Sequence, residues 1–347
     1  MRQLFIVLSL IIFSIFSLSQ ATAKEEVQGK FFGAKTAVHP DWFKESFLDL
    51  EEDVADSTAA GKRLVVYFWQ PGCPYCSQLW SDNFAEKDIE DSFRKNFEII
   101  AINMWGDKEV VMIGGKNYTE KSFADALSIA YTPTLLFFDE NKKVVHKVAG
   151  YIPPKDFRLV MEYVSQHKEK DGNYATFIAS KNKGIVAGKL HKEPFFLQPP
   201  YDLSVTTAEK NKYTAVFFEK PNCKNCDLLH EKTLKDKDTR KLVKQFRSIQ
   251  LNRYADTEVT TPTGTKTTAK DWANQLNITY LPAMIFFDPD GKEVMRIDAQ
   301  MHSFHIQSVY DYVLSGAYKT ELNFQRYISA RSEKIREQGK DVDIWKY

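Results

Sequence analysis

The stretch Arg63-Leu-Val-Val-Tyr-Phe-Trp-Gln-Pro-Gly-Cys-Pro-Tyr-Cys76 decides the fold, because a nearly all-apolar run leads directly into a Cys-x-x-Cys motif. An apolar run such as Leu64–Trp69 is typical of a strand that is covered on both faces. The same pattern returns at Tyr213-Thr-Ala-Val-Phe-Phe-Glu-Lys-Pro-Asn-Cys-Lys-Asn-Cys226, offset by 150 positions. In both places the sequence predicts a strand that ends at a cysteine and a helix that begins there.

A second pair of matching stretches lies downstream, at an offset of 149 positions. Tyr131-Thr-Pro-Thr-Leu-Leu-Phe-Phe-Asp139 corresponds to Tyr280-Leu-Pro-Ala-Met-Ile-Phe-Phe-Asp288. Repeats in register over this distance indicate one structural unit that occurs twice. Prolines mark a break near residue 195, which predicts one domain over residues 24–194 and a second over 195–347, with a helical tail. The expected class is α/β: two tandem domains, each a mixed central sheet flanked by helices.

The N-terminus carries the pattern of a secretory signal peptide over residues 1–23. Arg2 precedes the apolar run Leu4–Leu18, and the stretch ends in Ala21-Thr-Ala23, a typical cleavage site. The alternative is a membrane anchor, which requires about 20 apolar residues. We therefore expect a periplasmic protein that has no membrane contact after cleavage. With 47 Lys and Arg against 46 Asp and Glu, nothing in the charge points to nucleic acid.

The two Cys-x-x-Cys pairs, Cys73/Cys76 and Cys223/Cys226, are the candidate catalytic residues. A thiol at the start of a helix lies near the positive end of the helix dipole, which stabilises the thiolate and lowers the thiol pKa. Cys73 is then expected to attack a disulfide, and Cys76 to resolve the mixed disulfide. Pro74 suits the first helical turn, where an N–H group is not needed.

Two other interpretations of the cysteines remain open. A zinc ribbon spaces its cysteine pairs by about 15–20 residues, whereas 146 residues separate Cys76 from Cys223. A structural disulfide that closes so short a loop would add little stability, and this alternative is stronger for the second pair. We expect no metal and no cofactor. The seven histidines are interpreted as helical surface, although His230, four residues after Cys226, would tune that thiol if it faced the pair.

Pro133 and Pro282 each precede a strongly apolar strand. A trans proline is tolerated at the first position of a strand, but the same placement in both units favours a cis bond. Such a bond would expose backbone beside the cysteines for strand-like pairing with a substrate peptide. The expected substrate-binding residues near the two motifs are Trp69, Pro74, Tyr75, Thr132, Pro133, Leu281 and Pro282.

Together, the Trp69-Gln-Pro-Gly-Cys-Pro-Tyr-Cys76 stretch and the downstream Thr132-Pro133 resemble the thioredoxin superfamily. The resemblance implies a thioredoxin fold, a cis peptide at Pro133 and thiol–disulfide exchange at the first cysteine pair. Through Asn103–Asp107 and Gly150–Pro154, the first unit is similar to periplasmic SoxW-type thioredoxins. This similarity implies a reductase or electron relay, with protein disulfides or dithiols as substrates and a membrane-bound thiol reductant as a further partner.

Several positions depart from the thioredoxin pattern. Tyr67 and Phe217 stand six residues before the first cysteine of each pair, where thioredoxins carry a buried Asp. In the second unit Glu219 replaces the Trp, and Leu281 precedes the proline. The competing hypothesis is therefore a peptide- or partner-binding module whose second domain is not catalytic. The variable segments 106–120 and 256–270 are expected to be exposed loops that shape substrate choice.

Overall fold

A computed structural model describes residues 28–182, 188–205 and 212–347 of the chain. The predicted signal peptide lies outside these residues. After a short strand β1 (Phe31–Phe32), the elements of the first domain are, in chain order, α1 (Leu50–Ala59), β2 (Arg63–Trp69), α2 (Pro74–Gln78), α3 (Lys87–Asn96), β3 (Phe97–Asn103), β4 (Glu109–Met112), β5 (Lys116–Thr119), α4 (Glu120–Ala126), β6 (Thr134–Phe138), β7 (Val144–Ala149), α5 (Pro154–Ser165) and α6 (Tyr174–Lys181).

The second domain repeats this order from its central strand onward, with a short strand in place of α1 and a further short strand at its end. Its elements are β8 (Tyr201–Asp202), β9 (Thr214–Glu219), α7 (Lys224–Glu231), α8 (Lys237–Val243), β10 (Arg247–Asn252), β11 (Glu258–Thr260), β12 (Lys266–Thr268), α9 (Ala269–Gln275), β13 (Ala283–Phe287), β14 (Glu293–Ile297), α10 (Ser303–Leu314), α11 (Phe324–Glu337) and β15 (Val342–Asp343). The helix predicted to begin at the first cysteine motif continues beyond α2 as a wider π-helical turn at Leu79–Asn83, closed by a bond from the Phe84 N–H to the Leu79 carbonyl.

Each domain is built on a four-stranded mixed sheet. The strand order is β3-β2-β6-β7 in the first domain and β10-β9-β13-β14 in the second. The first two strands of each sheet are parallel, with Val66 opposite Ile100 and Val216 opposite Ile249. The remaining pairings are antiparallel. The identical order confirms the predicted pair of α/β domains.

The central strand of the first sheet is apolar throughout because helices cover both of its faces. Val65 and Tyr67 pack with Phe157 of α5, whereas Val66 and Phe68, on the opposite face, belong to the cluster that holds α1 and α4. Alternate residues of a strand point to opposite faces, so a continuous apolar run is needed here. The sheet thereby holds the end of β2, and with it Cys73, in a fixed position.

The two variable segments are not simple loops, and the prediction of exposed loops is wrong in this respect. In the first domain β4 and β5 form an antiparallel hairpin, and β11 and β12 do so in the second. Each hairpin buries a valine of its first strand, Val110 or Val259. The strands were not recognised in the sequence because each hairpin is short and its other residues are mostly polar.

The two domains pack through equivalent surfaces, which the repeat makes nearly symmetric. Tyr131 of the first domain enters the core of the second, and Tyr280, its counterpart, enters the core of the first. The Gln300 N–H donates to the Tyr151 carbonyl at 3.0 Å, and these residues are also counterparts in the repeat. The domains therefore meet at the loops that precede the proline-led strands β6 and β13 and at those that follow β7 and β14.

The first and last strands of the described residues join the same interface. Strand β1 pairs in parallel with β15, which brings residues near the N-terminus against the end of the second domain. Within the described ranges, no helix combines the length and apolar character that a membrane crossing requires.

Candidate active site

The first candidate site forms where β2 ends and α2 begins. Cys73 occupies the N-cap position, and its Sγ accepts the N–H of Cys76 at 3.0 Å. Pro74 is the first helical residue, as predicted. Cys73 and Cys76 are joined in a disulfide, so the structure shows the oxidised state of the pair. Cys76 is fully buried and Cys73 is 3% exposed.

Thr132 approaches the first pair from the loop before β6. Its hydroxyl donates to Cys73 Sγ at 3.3 Å, and its carbonyl oxygen lies 3.5 Å from the same sulfur. The Thr132–Pro133 bond is cis, which confirms the prediction for this proline, and the Leu281–Pro282 bond is cis as well. A third cis bond, Pro199–Pro200, was not predicted. When the pair is reduced, the Thr132 hydroxyl and the Cys76 N–H are two donors for a thiolate at Cys73.

Trp69, the last residue of β2, is half-buried, and its ring meets that of His39 edge-on at 4.5 Å. His39 also stacks on Phe43, so the prediction that it lies on a helix surface is wrong. Tyr67, at the position of the missing carboxylate, is fully buried, and burial raises the pKa of its hydroxyl. A hydroxyl that stays protonated does not accept a proton at neutral pH, so Tyr67 does not replace a carboxylate base.

Tyr75, between the two cysteines, contacts the second domain rather than open solvent. Its hydroxyl accepts the N–H of His302 at 2.9 Å and lies 3.3 Å from Nδ1 of His305. Its ring lies edge-on to Trp345, with centroids 5.0 Å apart. Only 5% of Tyr75 is exposed. This contact was not predicted, because the partners lie more than 200 positions away in the chain.

The second pair repeats the geometry of the first with fewer donors. Cys223 caps α7, accepts the Cys226 N–H at 3.1 Å and is disulfide-bonded to Cys226. The Leu281 carbonyl lies 4.0 Å from Cys223 Sγ, but leucine offers no hydroxyl. Pro282 lines only a small cavity of about 20 Å³ on this side.

A buried polar cluster lies on the same helix as the second pair. His230 Nε2 lies 2.9 Å from Glu219 and its Nδ1 lies 3.3 Å from Glu193. Burial alone would lower the pKa of His230, but the two carboxylates outweigh burial and raise it. Gln250 donates to the other oxygen of Glu219 at 3.1 Å. Because Cys226 and His230 are four residues apart on α7, they lie on one helix face.

This cluster was not predicted, although Glu219 in an otherwise apolar strand was a usable signal. The interpretation of the histidines as surface residues is wrong for several more of them. His146, His230 and His302 are each less than 9% exposed. Among the described residues, no three His, Cys, Asp or Glu side chains converge in a way that could hold a metal ion.

Comparison with known families identifies the class of this chain. The family model described as the thioredoxin-like domain matches residues 50–165 and again 201–314. These two matches span more than half of the chain, and they cover the two domains seen in the structure. The chain belongs to the thioredoxin-like family and contains two such domains.

Several solved structures resemble single domains of the chain. A thioredoxin-fold protein from Helicobacter pylori is 24% identical, with a TM-score of 0.30 over 32% of this chain and 74% of that one. A thioredoxin from Thermus thermophilus is 16% identical, with a TM-score of 0.28 over 40% and 87%. The oxidised C-terminal domain of DsbD from Neisseria meningitidis is 11% identical, with a TM-score of 0.26 over 34% and 91%. No curated protein matches the chain.

Proposed function

We propose that the chain is a thiol–disulfide oxidoreductase in which Cys73 attacks and Cys76 resolves. The observation that carries the proposal is the placement of Cys73 Sγ at the start of α2, with the Cys76 N–H at 3.0 Å and the Thr132 hydroxyl at 3.3 Å. Two donors and the helix dipole favour the thiolate, which is the reactive form of cysteine. The pair Cys223/Cys226 has the same backbone placement but lacks the hydroxyl.

In the reduced protein, the Cys73 thiolate attacks one sulfur of a substrate disulfide. A bond forms between Cys73 and that sulfur, and the other substrate sulfur leaves as a thiolate. Cys76 then loses its proton and attacks Cys73, which releases the second substrate thiolate and closes the disulfide of the structure. Two electrons pass from the cysteine pair to the substrate, and the reverse sequence would oxidise a dithiol.

We propose that electrons pass from the cysteine pair to the substrate, as in a reductase or an electron relay, and that the protein acts in the periplasm. Both follow from the sequence: the similarity of the first unit to SoxW-type thioredoxins supports the direction, and residues 1–23 support export. Cell fractionation with N-terminal sequencing tests the location. A mature protein that begins at Lys24 in the periplasmic fraction is expected, and an uncleaved chain in the cytoplasm would contradict export.

Oxidation of the reduced protein by bis(2-hydroxyethyl) disulfide tests the activity. The reaction is followed, after acid quenching and alkylation, through the tryptic peptide that contains both Cys73 and Cys76 and through the two peptides that contain Cys223 and Cys226. The wild type is expected to lose both thiols of the first pair together, and Cys73→Ser is expected to leave Cys76 reduced. Equal rates of thiol loss at Cys76 in both proteins would remove the proposal.

A second candidate function concerns the second domain alone. The residue before its cis proline is Leu281, which offers Cys223 a carbonyl at 4.0 Å but no hydroxyl donor. The missing donor favours a domain that holds the first one in place rather than a second catalytic centre. If the second domain has this supporting role, the first pair of the Cys223→Ser variant reacts as fast as that of the wild type. If the second pair instead relays electrons to the first, Cys223→Ser slows multiple turnover.

A further inference from the structure

The second domain covers the face of the first domain from which Cys73 would meet a substrate. Between the domains lies a cleft of about 330 Å³ that includes Cys73, Pro74 and Thr132 on one side. Residues of α11, among them Ser329 and Arg336, form the opposite side. The reactive sulfur therefore opens into a confined space rather than onto a free protein surface.

The contacts around the cleft hold the two domains together. Gln70 Nε2 donates to Gln325 Oε1 at 2.9 Å, and Gln325 Nε2 donates to the Ala130 carbonyl at 2.8 Å. The Tyr131 hydroxyl donates to the Arg296 carbonyl at 2.7 Å. Together with the buried Tyr75, these bonds occupy the surface beside Cys73 and Thr132.

The size of a substrate decides whether it reaches Cys73 in this arrangement. A stable contact with a folded protein takes about 800 Å² on each partner, whereas Cys73 is 3% exposed and its neighbour Tyr75 is buried. A cleft of about 330 Å³ falls in the range of small-molecule sites, which begins at about 300 Å³.

The walls of the cleft indicate the chemistry of its ligand. Glu333 and Arg336 form an ion pair at 2.9 Å on the α11 side, and Ser329 and Gln300 add a hydroxyl and an amide. Within the protein, Glu333 also accepts a bond from Gln28, Arg336 Nε donates to the Gly29 carbonyl, and the Gln300 amide donates to the Tyr347 hydroxyl. The remaining capacity, a guanidinium N–H and carboxylate and amide oxygens, suits the carboxylate and the ammonium group of an amino acid. Ile328 and Ile344 supply apolar surface nearby.

We propose that the substrate taken at Cys73 is a low-molecular-mass disulfide of a cysteine-bearing amino acid or short peptide. This inference rests on the proposed oxidoreductase function and narrows its substrate class. The Cys73 thiolate attacks one sulfur of the small disulfide RSSR and forms Cys73–S–S–R, and RS⁻ leaves. Attack by Cys76 then closes the internal disulfide and releases the second RS⁻, and the thiol protons pass to the two released thiolates. A dithiol reductant returns the pair to the reduced state.

The test compares small and protein disulfides in a single turnover of the full chain. Reduced protein is mixed with cystine, glutathione disulfide or insulin, and oxidation of the peptide that contains Cys73/Cys76 is followed by mass spectrometry. Each rate constant is divided by that of dithiothreitol with the same disulfide, which corrects for intrinsic reactivity. We expect the corrected constants for the small disulfides to exceed that for insulin by about tenfold or more, because insulin does not enter the cleft.

Two tryptophan substitutions on α11 form a matched pair. Ser329 is exposed and lines the cleft, whereas Ala330 is exposed but not part of the lining. Ser329→Trp is expected to slow the small disulfides about tenfold by filling the cleft, and Ala330→Trp is expected to leave them unchanged. Circular dichroism verifies that both variants fold.

The outcomes separate this inference from the proposed function. If insulin reacts as fast as the small disulfides, or if Ser329→Trp has no effect, the cleft is not the substrate site, although the oxidoreductase function stands. If no disulfide oxidises the first pair, both the inference and the proposed function are wrong.

Discussion

Removal of the Thr132 hydroxyl gives a quantitative test of how Cys73 is activated. The hydroxyl donates to Cys73 Sγ at 3.3 Å, and Thr132 is 5% exposed, so solvent does not replace the bond readily. A hydrogen bond to a charged group contributes about 1.5–3 kcal/mol. Because one pKa unit corresponds to about 1.4 kcal/mol, Thr132→Val is expected to raise the pKa of the Cys73 thiol by about 1–2 units.

The pKa is read from the pH dependence of alkylation of the reduced protein by iodoacetamide, with modification of Cys73 followed by peptide mass. Leu281→Thr is the matched control, since it adds a hydroxyl at the equivalent place near Cys223 and is expected to lower the pKa of that thiol. The reasoning fails if Thr132→Val folds normally and the alkylation profile of Cys73 does not move.

Other predictions concern stability. His230→Leu removes the buried ionisable partner of Glu219 and leaves it only the Gln250 amide, so the free energy of unfolding in urea is expected to fall by about 3–5 kcal/mol. The pKa of His230 is raised on folding, so its contribution to the free energy of unfolding is complete below its ordinary pKa and declines as the pH rises through the pKa of the folded state. The difference in free energy of unfolding between wild type and His230→Leu should therefore narrow towards alkaline pH, and a difference that widens would contradict this. Tyr131→Phe removes the bond to the Arg296 carbonyl and should cost about 0.5–1.5 kcal/mol. Tyr310→Phe removes a buried hydroxyl that has no hydrogen-bond partner among the described residues, and it should not destabilise the protein in the same urea titration. A loss equal to that of Tyr131→Phe would contradict this.

The parts of the fold with local signatures were predictable from the sequence. The apolar run of β2, the Cys-x-x-Cys motif and the proline before β6 all act through neighbouring residues, and the structure places them as expected. The repeat supplied a second copy of each signal, which is why two domains of the same α/β class followed from the sequence alone.

The features that were missed depend on residues far apart in the chain. Tyr75 is an ordinary polar-tipped aromatic in the sequence, and only packing of the second domain makes it a buried contact of His302 and Trp345. Glu219 and His230 stood out in the sequence as polar residues, but their pairing was not predictable. It depends on how the end of β9 packs against one face of α7. Contacts between equivalent surfaces of two domains leave no periodic pattern in the sequence.

Capture of the mixed disulfide tests the central claim most directly. The reduced Cys76→Ser variant lacks the resolving thiol, so its reaction with glutathione disulfide should stop at one adduct on the peptide that contains Cys73. The account predicts this adduct at neutral pH within the time of a wild-type turnover, and no adduct on that peptide in Cys73→Ser. Failure of Cys76→Ser to form it, with the protein folded and fully reduced, would show that Cys73 is not the attacking group.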